Sequence, residues 1–115
     1  MSAAGTIPAA EALRLADLIK PTERGVASRV LAKNGGGNVT LFAFDAGEGL
    51  SEHTTPFDAL VIVLDGSLRL SIGGGPVDAS PGTIVRMPAG VPHSVDATAA
   101  SRMLLIMLRE PKPAF

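Results

Sequence analysis

GEGLSEHTTPFDALVIVLDG, residues 47–66, and GTIVRMPAGVPH, residues 82–93, are the two stretches that decide the fold. Each sets a histidine, His53 in the first and His93 in the second, among glycines, prolines and runs of apolar residues. These are the two histidines of a chain of 115 residues. Their positions indicate where a functional pocket lies, but they do not specify its chemistry.

Short runs with strand character follow one another from residue 26 onward, separated by glycine and proline. Such spacing predicts β-strands. No interval has room for a crossover helix, and Asp65-Gly66 between two apolar runs predicts a hairpin. The sequence therefore predicts an all-β, antiparallel jelly-roll barrel. Its expected strands are 26–33, 38–44, 50–55, 59–65, 67–72, 76–79, 83–87, 93–97 and 102–108.

A short helix or helical turn is expected before the barrel, over residues 8–19. Leu13, Ala16 and Ile19 recur at helical spacing, with Leu15 and Leu18 on the same side. Proline at position 21 would end such a helix. The predicted organisation is an N-terminal segment, 1–25, a single barrel domain, 26–109, and a flexible tail, 110–115.

The composition excludes several classes of function. With no cysteine, the chain has neither disulfides nor thiolate chemistry. A net charge of −1 without a basic run argues against nucleic-acid binding. No apolar run is long enough to span a membrane, and the first residues lack the pattern of a secretory signal. We therefore expect a cytoplasmic protein, with an aliphatic core because it has four Phe but neither Trp nor Tyr.

Two of the expected strands, at 59–64 and 103–108, are apolar on both faces. An antiparallel strand of this kind needs a second cover for its outer face. We expect a two-fold homodimer, with the N-terminal segment contributing to the cover. Coverage within one chain is the alternative.

Taken together, these motifs resemble those of the cupin superfamily, and the chain is similar to its small single-domain, RmlC-like members, which are double-stranded β-helix barrels. The first cupin motif reads G-x5-H-x-H-x3,4-E-x6-G and the second G-x5-P-x-G-x2-H-x3-N. Metal-binding cupins use the three histidines and the glutamate as ligands. The positions that match are Gly47, His53, Gly66, Gly82, Pro88, Gly90 and His93.

The resemblance implies a metal site from which half of the ligands are missing. Thr55 stands at the position of the second histidine, Ala59 at that of the glutamate and Ala97 at that of the terminal asparagine. His53 and His93 alone would hold a divalent metal (Fe, Ni, Cu, Mn or Zn) weakly, so a firm site would need a further ligand. Asp58 is a poor substitute, because its parity along a regular strand is opposite to that of His53.

The expected pocket is lined by His53, Thr55, Phe57, Ala59, Met87, His93 and Met103. The expected function is binding of a small molecule in the barrel, with or without a weakly held metal on the two histidines; no catalytic residue is assigned. One alternative is a metal-dependent enzyme of the dioxygenase or isomerase type. A second is a metal-free acid–base pair, with Arg86 or Arg102 as an anion anchor if either faces inward. A third is a non-catalytic, regulatory barrel, and the last is a structural role for the histidines.

Overall fold

The computed structural model describes residues 6–20 and 23–109, and these form an antiparallel barrel of nine strands. The strands are β1 (Val26–Asn34), β2 (Gly37–Phe44), β3 (Gly49–His53), β4 (Asp58–Asp65), β5 (Leu68–Ile72), β6 (Gly75–Ala79), β7 (Ile84–Met87), β8 (His93–Ala97) and β9 (Ser101–Leu108).

Two sheets face each other across the core. One has the order β1-β2-β9-β4-β7, and the other has the order β3-β8-β5-β6. Each of the nine predicted strands is present, and the jelly-roll class is confirmed. The predicted tail, 110–115, and residues 1–5, 21 and 22 of the predicted N-terminal segment lie outside the described residues.

The barrel core is the apolar space between the two sheets. Inward side chains alternate with outward ones along each strand, as the pleat requires. The largest of them, Phe44, Leu68, Leu70 and Met103, are at most 1% exposed. The other buried members of this core are Ala59, Val61, Val63, Ala79, Met87, Val95 and Ala97.

A second, smaller core lies on the outer face of the five-stranded sheet, beneath the N-terminal segment. Ile19 packs there with Leu31, Leu41 and Ala43, and Ile7 and Leu18 lie at its margin. The backbone N–H of Ile7 donates to the Leu31 carbonyl at 2.9 Å, which ties the segment to β1. The N-terminal segment therefore covers part of the outer face, as expected from the two strands that are apolar on both sides.

The short helix or helical turn expected over residues 8–19 is, in the described part of the segment, one 3-10 turn, Leu15–Asp17. Ala10 has a positive φ of 60°, and Arg14 is extended. An isolated helix of this length is marginal in water. In this segment the apolar side chains pack onto the sheet one by one and do not form one helical face. Leu13 and Leu15 consequently stay more than one-third exposed.

The hairpin predicted at Asp65-Gly66 is also wrong. β4 pairs with β7 and β9, whereas β5 pairs with β6 and β8, so this turn carries the chain from one sheet to the other. Gly66 has a φ of 83° and passes directly against Ser101, where a Cβ would overlap the Ser101 Oγ. Gly66 thus allows the chain to cross from one sheet to the other at an Asp-Gly pair, a local sequence that more often forms a hairpin.

Part of the outer face stays uncovered by the N-terminal segment. Across β7, β4, β9 and β2, Ile84, Ile62, Leu104 and Leu41 form one outward row. Leu41 at one end is buried, whereas Ile84 at the other is 59% exposed. Among the described residues, no helix is long and apolar enough to cross a membrane.

Candidate functional site

The two histidines lie at one end of the barrel, which we call the histidine end. It is formed by the termini of β3 and β8 at His53 and His93, together with the loops 54–57 and 88–92 that join them to β4 and β7. The Gly90 N–H donates to the Thr55 carbonyl at 2.8 Å and binds these two loops to each other. This hydrogen bond holds together the loop that follows His53 and the loop that precedes His93.

A β-bulge turns His53 toward the interior. β3 pairs with β8 at Leu50 opposite Val95 and again at His53 opposite His93, so β3 holds one more residue than its partner between these pairs. An extra residue reverses the parity of the strand beyond it. Leu50 and His53 therefore share the inner face although they are three residues apart. The regular strand assumed in the sequence analysis, 50–55, is replaced by a bulged strand that ends at His53.

The His53 and His93 rings meet edge to face, with centroids 4.4 Å apart. Their Nε2 atoms are 3.1 Å apart. The Nδ1 of His53 lies 2.9 Å from the Ser51 carbonyl oxygen, and the Nδ1 of His93 lies 3.1 Å from that of Val91. His93 is 3% exposed, whereas His53 is open to solvent. The His93 imidazole is thus buried in the core, and the His53 imidazole contacts it from the surface.

This geometry determines where the ring protons lie. A carbonyl oxygen only accepts, so both Nδ1 atoms carry hydrogen and donate. In neutral rings both Nε2 atoms then present lone pairs, and these two atoms lie 3.1 Å apart in an edge-to-face arrangement of the rings. Two electron-pair donors this close are suited to a shared cation, and a metal ion is the one that imidazoles commonly ligate.

The Nε2–Nε2 distance fits a single metal ion. With metal–nitrogen bonds of about 2.0–2.1 Å, a separation of 3.1 Å corresponds to a ligand–metal–ligand angle of roughly 100°. That angle lies between those of octahedral and tetrahedral coordination. Within the described part of the chain, no cluster of three or more His, Cys, Asp or Glu residues is suited to hold a metal. The donor set fits a weakly held ion with open coordination positions.

The other expected pocket residues lie at different depths. Ala59 and Met87 are cross-strand partners near the histidine end, and both are 2% exposed. Met103 lies deeper in the core and is completely buried. The Thr55 hydroxyl is engaged with the backbone of Phe57, to whose carbonyl it donates at 3.1 Å. The structure brings His53 and His93 into direct contact, whereas Met103 pairs with Val63, two inward positions further from the histidine end than Ala59.

The charged candidates point away from the interior. Asp58 accepts from Arg86 at 3.1 Å and from the Ala89 N–H at 2.8 Å, which confirms that it faces away from His53. Arg102 donates to Asp65 at 2.8 Å and to the Ala16 carbonyl at 3.0 Å. Neither arginine is therefore an inward anion anchor, because each is held by an acidic side chain outside the barrel.

The sequence analysis did not place Asn38, Thr40 and Met107 toward this end of the barrel. Asn38, Met107, Ala59 and Met87 form the last inward row of the five-stranded sheet at the histidine end. Thr40 lies one inward position deeper along β2 and is 8% exposed. The signal was the even positions of β2, which share one face of the strand. They carry Asn38 and Thr40 in line with Phe42 and Phe44, so two polar side chains lie on an otherwise apolar face.

The rim of this end carries an arginine. The Arg109 guanidinium lies over the Phe57 ring, 4.7 Å from its centroid. Two surface cavities occur among the described residues: one of about 230 Å³ at the β1–β2 hairpin, which Asn38 and Met107 help to line, and one of about 390 Å³ beside the 3-10 turn. Neither is lined by a histidine, so we place the candidate site by its chemistry rather than by cavity size.

Comparison with known proteins supports the same fold over almost the whole chain. A conserved protein of unknown function from Streptococcus pyogenes is 29% identical, with 94% of this chain and 95% of that chain covered and a TM-score of 0.88. A cupin superfamily protein from Desulfitobacterium hafniense is 30% identical, with 91% and 96% covered and a TM-score of 0.84. A cupin 2 conserved barrel domain protein from Leptotrichia buccalis is 34% identical, with 82% and 46% covered and a TM-score of 0.78.

No curated protein matches the sequence. A family model described as the cupin domain matches residues 40–108, which include both histidines and run from β2 to the end of β9. The matched region covers more than half of the chain and contains both glycine-to-histidine stretches. The chain belongs to the cupin family.

Proposed function

We propose that this cupin binds a divalent metal ion through the Nε2 atoms of His53 and His93, and that a small molecule completes the coordination. The observation that carries the proposal is the opposition of the two Nε2 atoms at 3.1 Å. Each ring is held in this orientation by a backbone carbonyl at its Nδ1. Such outer contacts fix the tautomer and direction of metal-ligating histidines.

Imidazole ligands without a carboxylate favour Cu²⁺, Ni²⁺ and Zn²⁺ over Mn²⁺. With two protein ligands, binding is expected to be weaker than in sites with three or four. The remaining positions would be open to water or to oxygen atoms of a ligand. A metal ion held there would supply Lewis acidity, polarising a ligand oxygen. The apolar wall of Ala59 and Met87 would limit the access of water from below.

Calorimetric titration with Ni²⁺ tests the proposal. We expect about one site per chain, lost in both the His53→Ala and the His93→Ala variant. Asp96→Ala is the matched control, because Asp96 is exposed on the same strand as His93 but on the opposite face. Binding that survives in the histidine variants, or that is lost with Asp96, would overturn the proposal.

The alternatives differ in what they require of the same two histidines. A dioxygenase- or isomerase-type enzyme requires the metal and a substrate that is converted. A metal-free binding or regulatory barrel requires a small molecule that stabilises the protein in the presence of chelator. A structural role requires that replacing both histidines changes stability alone. The 3.1 Å separation of the two Nε2 atoms favours the metal, because two neutral imidazoles whose Nδ1 atoms both donate have no hydrogen between their Nε2 atoms.

We also propose that a second copy of the chain covers the open part of the outer face. Ile62 and Ile84 are partners on this face, and Ile84 is 59% exposed. The charged pair beside them, Asp58 and Arg86, is balanced, so the patch offers no net charge to a charged partner. A flat, apolar and neutral face is suited to its own two-fold copy.

A further inference from the structure

One arginine on the outer face of the five-stranded sheet lacks an acidic partner. Arg29 on β1 shares this face with Arg86 on β7 and Arg102 on β9. The Arg86 guanidinium forms an ion pair with Asp58. That of Arg102 forms one with Asp65. Among the residues that the structure describes, no carboxylate lies within ion-pair distance of Arg29, so its charge has no counter-ion there.

The charge of Arg29 is also partly withdrawn from water. Arg29 is half-buried, and in the described part of the chain its Nε is the one buried side-chain nitrogen or oxygen without a hydrogen-bond partner. Its Nη1 donates to the Leu18 carbonyl at 3.2 Å, which ties it to the N-terminal segment but supplies no negative charge. A partly desolvated cation without a counter-ion is unfavourable, and an anion that binds beside it relieves this cost.

The surface cavity beside the 3-10 turn offers room for such an anion. Its volume of about 390 Å³ is within the range of small-molecule sites. Arg29 lines this cavity together with Lys20, the hydroxyl-bearing Ser28 and the acidic Asp17. Two cationic side chains and one carboxylate leave a balance of one positive charge. This balance matches a ligand with a single negative charge better than a doubly charged phosphate.

The rest of the lining is apolar and consists of Leu18, Ile19 and Ala27. Ile19 is the buried member of this group, at 8% exposed. An aliphatic body can therefore lie against one side of the cavity while a charged head lies near Arg29. The planar guanidinium presents paired N–H groups that match the two oxygens of a carboxylate.

We infer that the cavity beside the 3-10 turn binds a small aliphatic monocarboxylate, whose head pairs with the Arg29 guanidinium and whose body contacts Leu18, Ile19 and Ala27. Neither histidine lines this cavity. The inference is thus independent of the proposed metal site and adds a second site to the molecule.

NMR titration of isotope-labelled protein with hexanoate tests the inference, with hexanamide as the uncharged counterpart of equal length. The Nε–H signal of Arg29 reports on the site directly. We expect hexanoate to shift this signal to saturation and hexanamide to leave it in place. Chelator is present throughout, so the outcome does not depend on metal binding at His53 and His93.

Three variants connect the binding to the charge of Arg29. Arg29→Met keeps an aliphatic side chain without the charge and should lower hexanoate affinity by about tenfold to a hundredfold, followed through the backbone signals of Lys20 and Ser28. Asp17→Asn removes the competing carboxylate and should raise the affinity by about twofold to fivefold. Arg102→Met is the matched control, because Arg102 also donates to a carbonyl of the N-terminal segment but does not line the cavity.

Several outcomes would overturn the inference. One is an Arg29 signal that does not shift to saturation, or that shifts equally with hexanamide. Another is an equal loss of affinity in Arg29→Met and Arg102→Met, because the position of the N-terminal segment would then govern binding instead of the Arg29 charge. Tighter binding of inorganic phosphate than of hexanoate would overturn the assignment to a carboxylate. Thermal unfolding checks that each variant is folded.

Discussion

The Nε2 atoms of His53 and His93 face each other at 3.1 Å, and the Nδ1 of each ring is occupied by a backbone carbonyl. The two rings differ in their surroundings, since His93 is 3% exposed and His53 is open to solvent. The pair thus consists of a buried histidine, His93, and an exposed one, His53. Loss of either is expected to abolish metal binding, whereas loss of His93 is expected to cost the fold more stability.

His93→Ala should therefore destabilise the fold more than His53→Ala. Removing the buried ring leaves a cavity and deprives the Val91 carbonyl of its donor, at an expected cost of about 2–3 kcal/mol. Removing the exposed ring should cost less than about 1 kcal/mol. Urea unfolding of both variants measures the difference. Equal losses would contradict the assignment of different burial to the two rings.

Metal preference should follow the ligand set. Two imidazoles without a carboxylate predict an affinity order of Cu²⁺ above Ni²⁺ and Zn²⁺, with Mn²⁺ the weakest. Competition dialysis of the wild type against each ion measures this order. A preference for Mn²⁺ would mean that oxygen ligands dominate the site, and the two-imidazole account would then be wrong.

Gly66→Ala should destabilise the protein more than Gly82→Ala. Both glycines have a φ close to 84°, so the backbone strain of alanine is the same. At Gly66 a Cβ would overlap the Ser101 Oγ and the Ala100 carbonyl, whereas at Gly82 no heavy atom lies within 4 Å. We expect about 1 kcal/mol for the strain alone and at least about twice that at Gly66. Similar losses of free energy of unfolding would contradict the close approach.

The carboxyl of Asp78 provides a pH-dependent contact remote from the site. The hydrogen bond from Arg69, and then its charge, hold the pKa of Asp78 below its ordinary value. A lowered carboxyl pKa in the folded state stabilises the fold above the ordinary pKa, and this contribution disappears as the pH falls through the folded value. The contact is fully exposed, so its effect on stability is small. Arg69→Gln should raise the Asp78 titration midpoint measured by NMR, and an unchanged midpoint would contradict the contact.

The open outer face predicts a homodimer that charge can disrupt. Ile84→Glu places a carboxylate on the exposed end of the apolar row and should shift the protein to monomer. Val30→Glu is the matched control, because Val30 is 39% exposed on the edge strand β1, away from this row. Light scattering after size exclusion measures the mass. A monomeric wild type, or an equal response to Val30→Glu, would contradict a dimer through this face.

The sequence predicted the strands and the histidine positions well because both depend on local patterns. Alternation, turn residues and the glycine-to-histidine spacing place both histidines on strands without knowledge of the pairing, although the expected strand 50–55 continued past His53, where β3 ends. The β3 bulge was not predictable, because neither of the two residues between Leu50 and His53 is of a type that requires a bulge. Gly66 shows the same limit, since its turn type depends on which sheet the next strand joins.

Asn38 and Thr40 needed the register of the sheet before they could be placed toward the histidine end. Their even positions, shared with Phe42 and Phe44, indicate that they face inward. The same pattern does not indicate which end of the barrel they reach. The pairing of β2 with β9 and of β9 with β4 places Asn38 beside Met107 and at the level of Ala59. Long-range contacts of this kind are set by the whole fold rather than by local sequence.

Metal content is the measurement that tests the account most directly. The protein, purified without a histidine tag, is brought to equilibrium by dialysis against buffer containing Ni²⁺, Cu²⁺ or Zn²⁺, and the metal bound per chain is measured beside the His53→Ala/His93→Ala double variant. The account predicts about one ion per chain in the wild type and none in the double variant. A wild type that retains no ion under any loading, or a double variant that retains as much as the wild type, would contradict it.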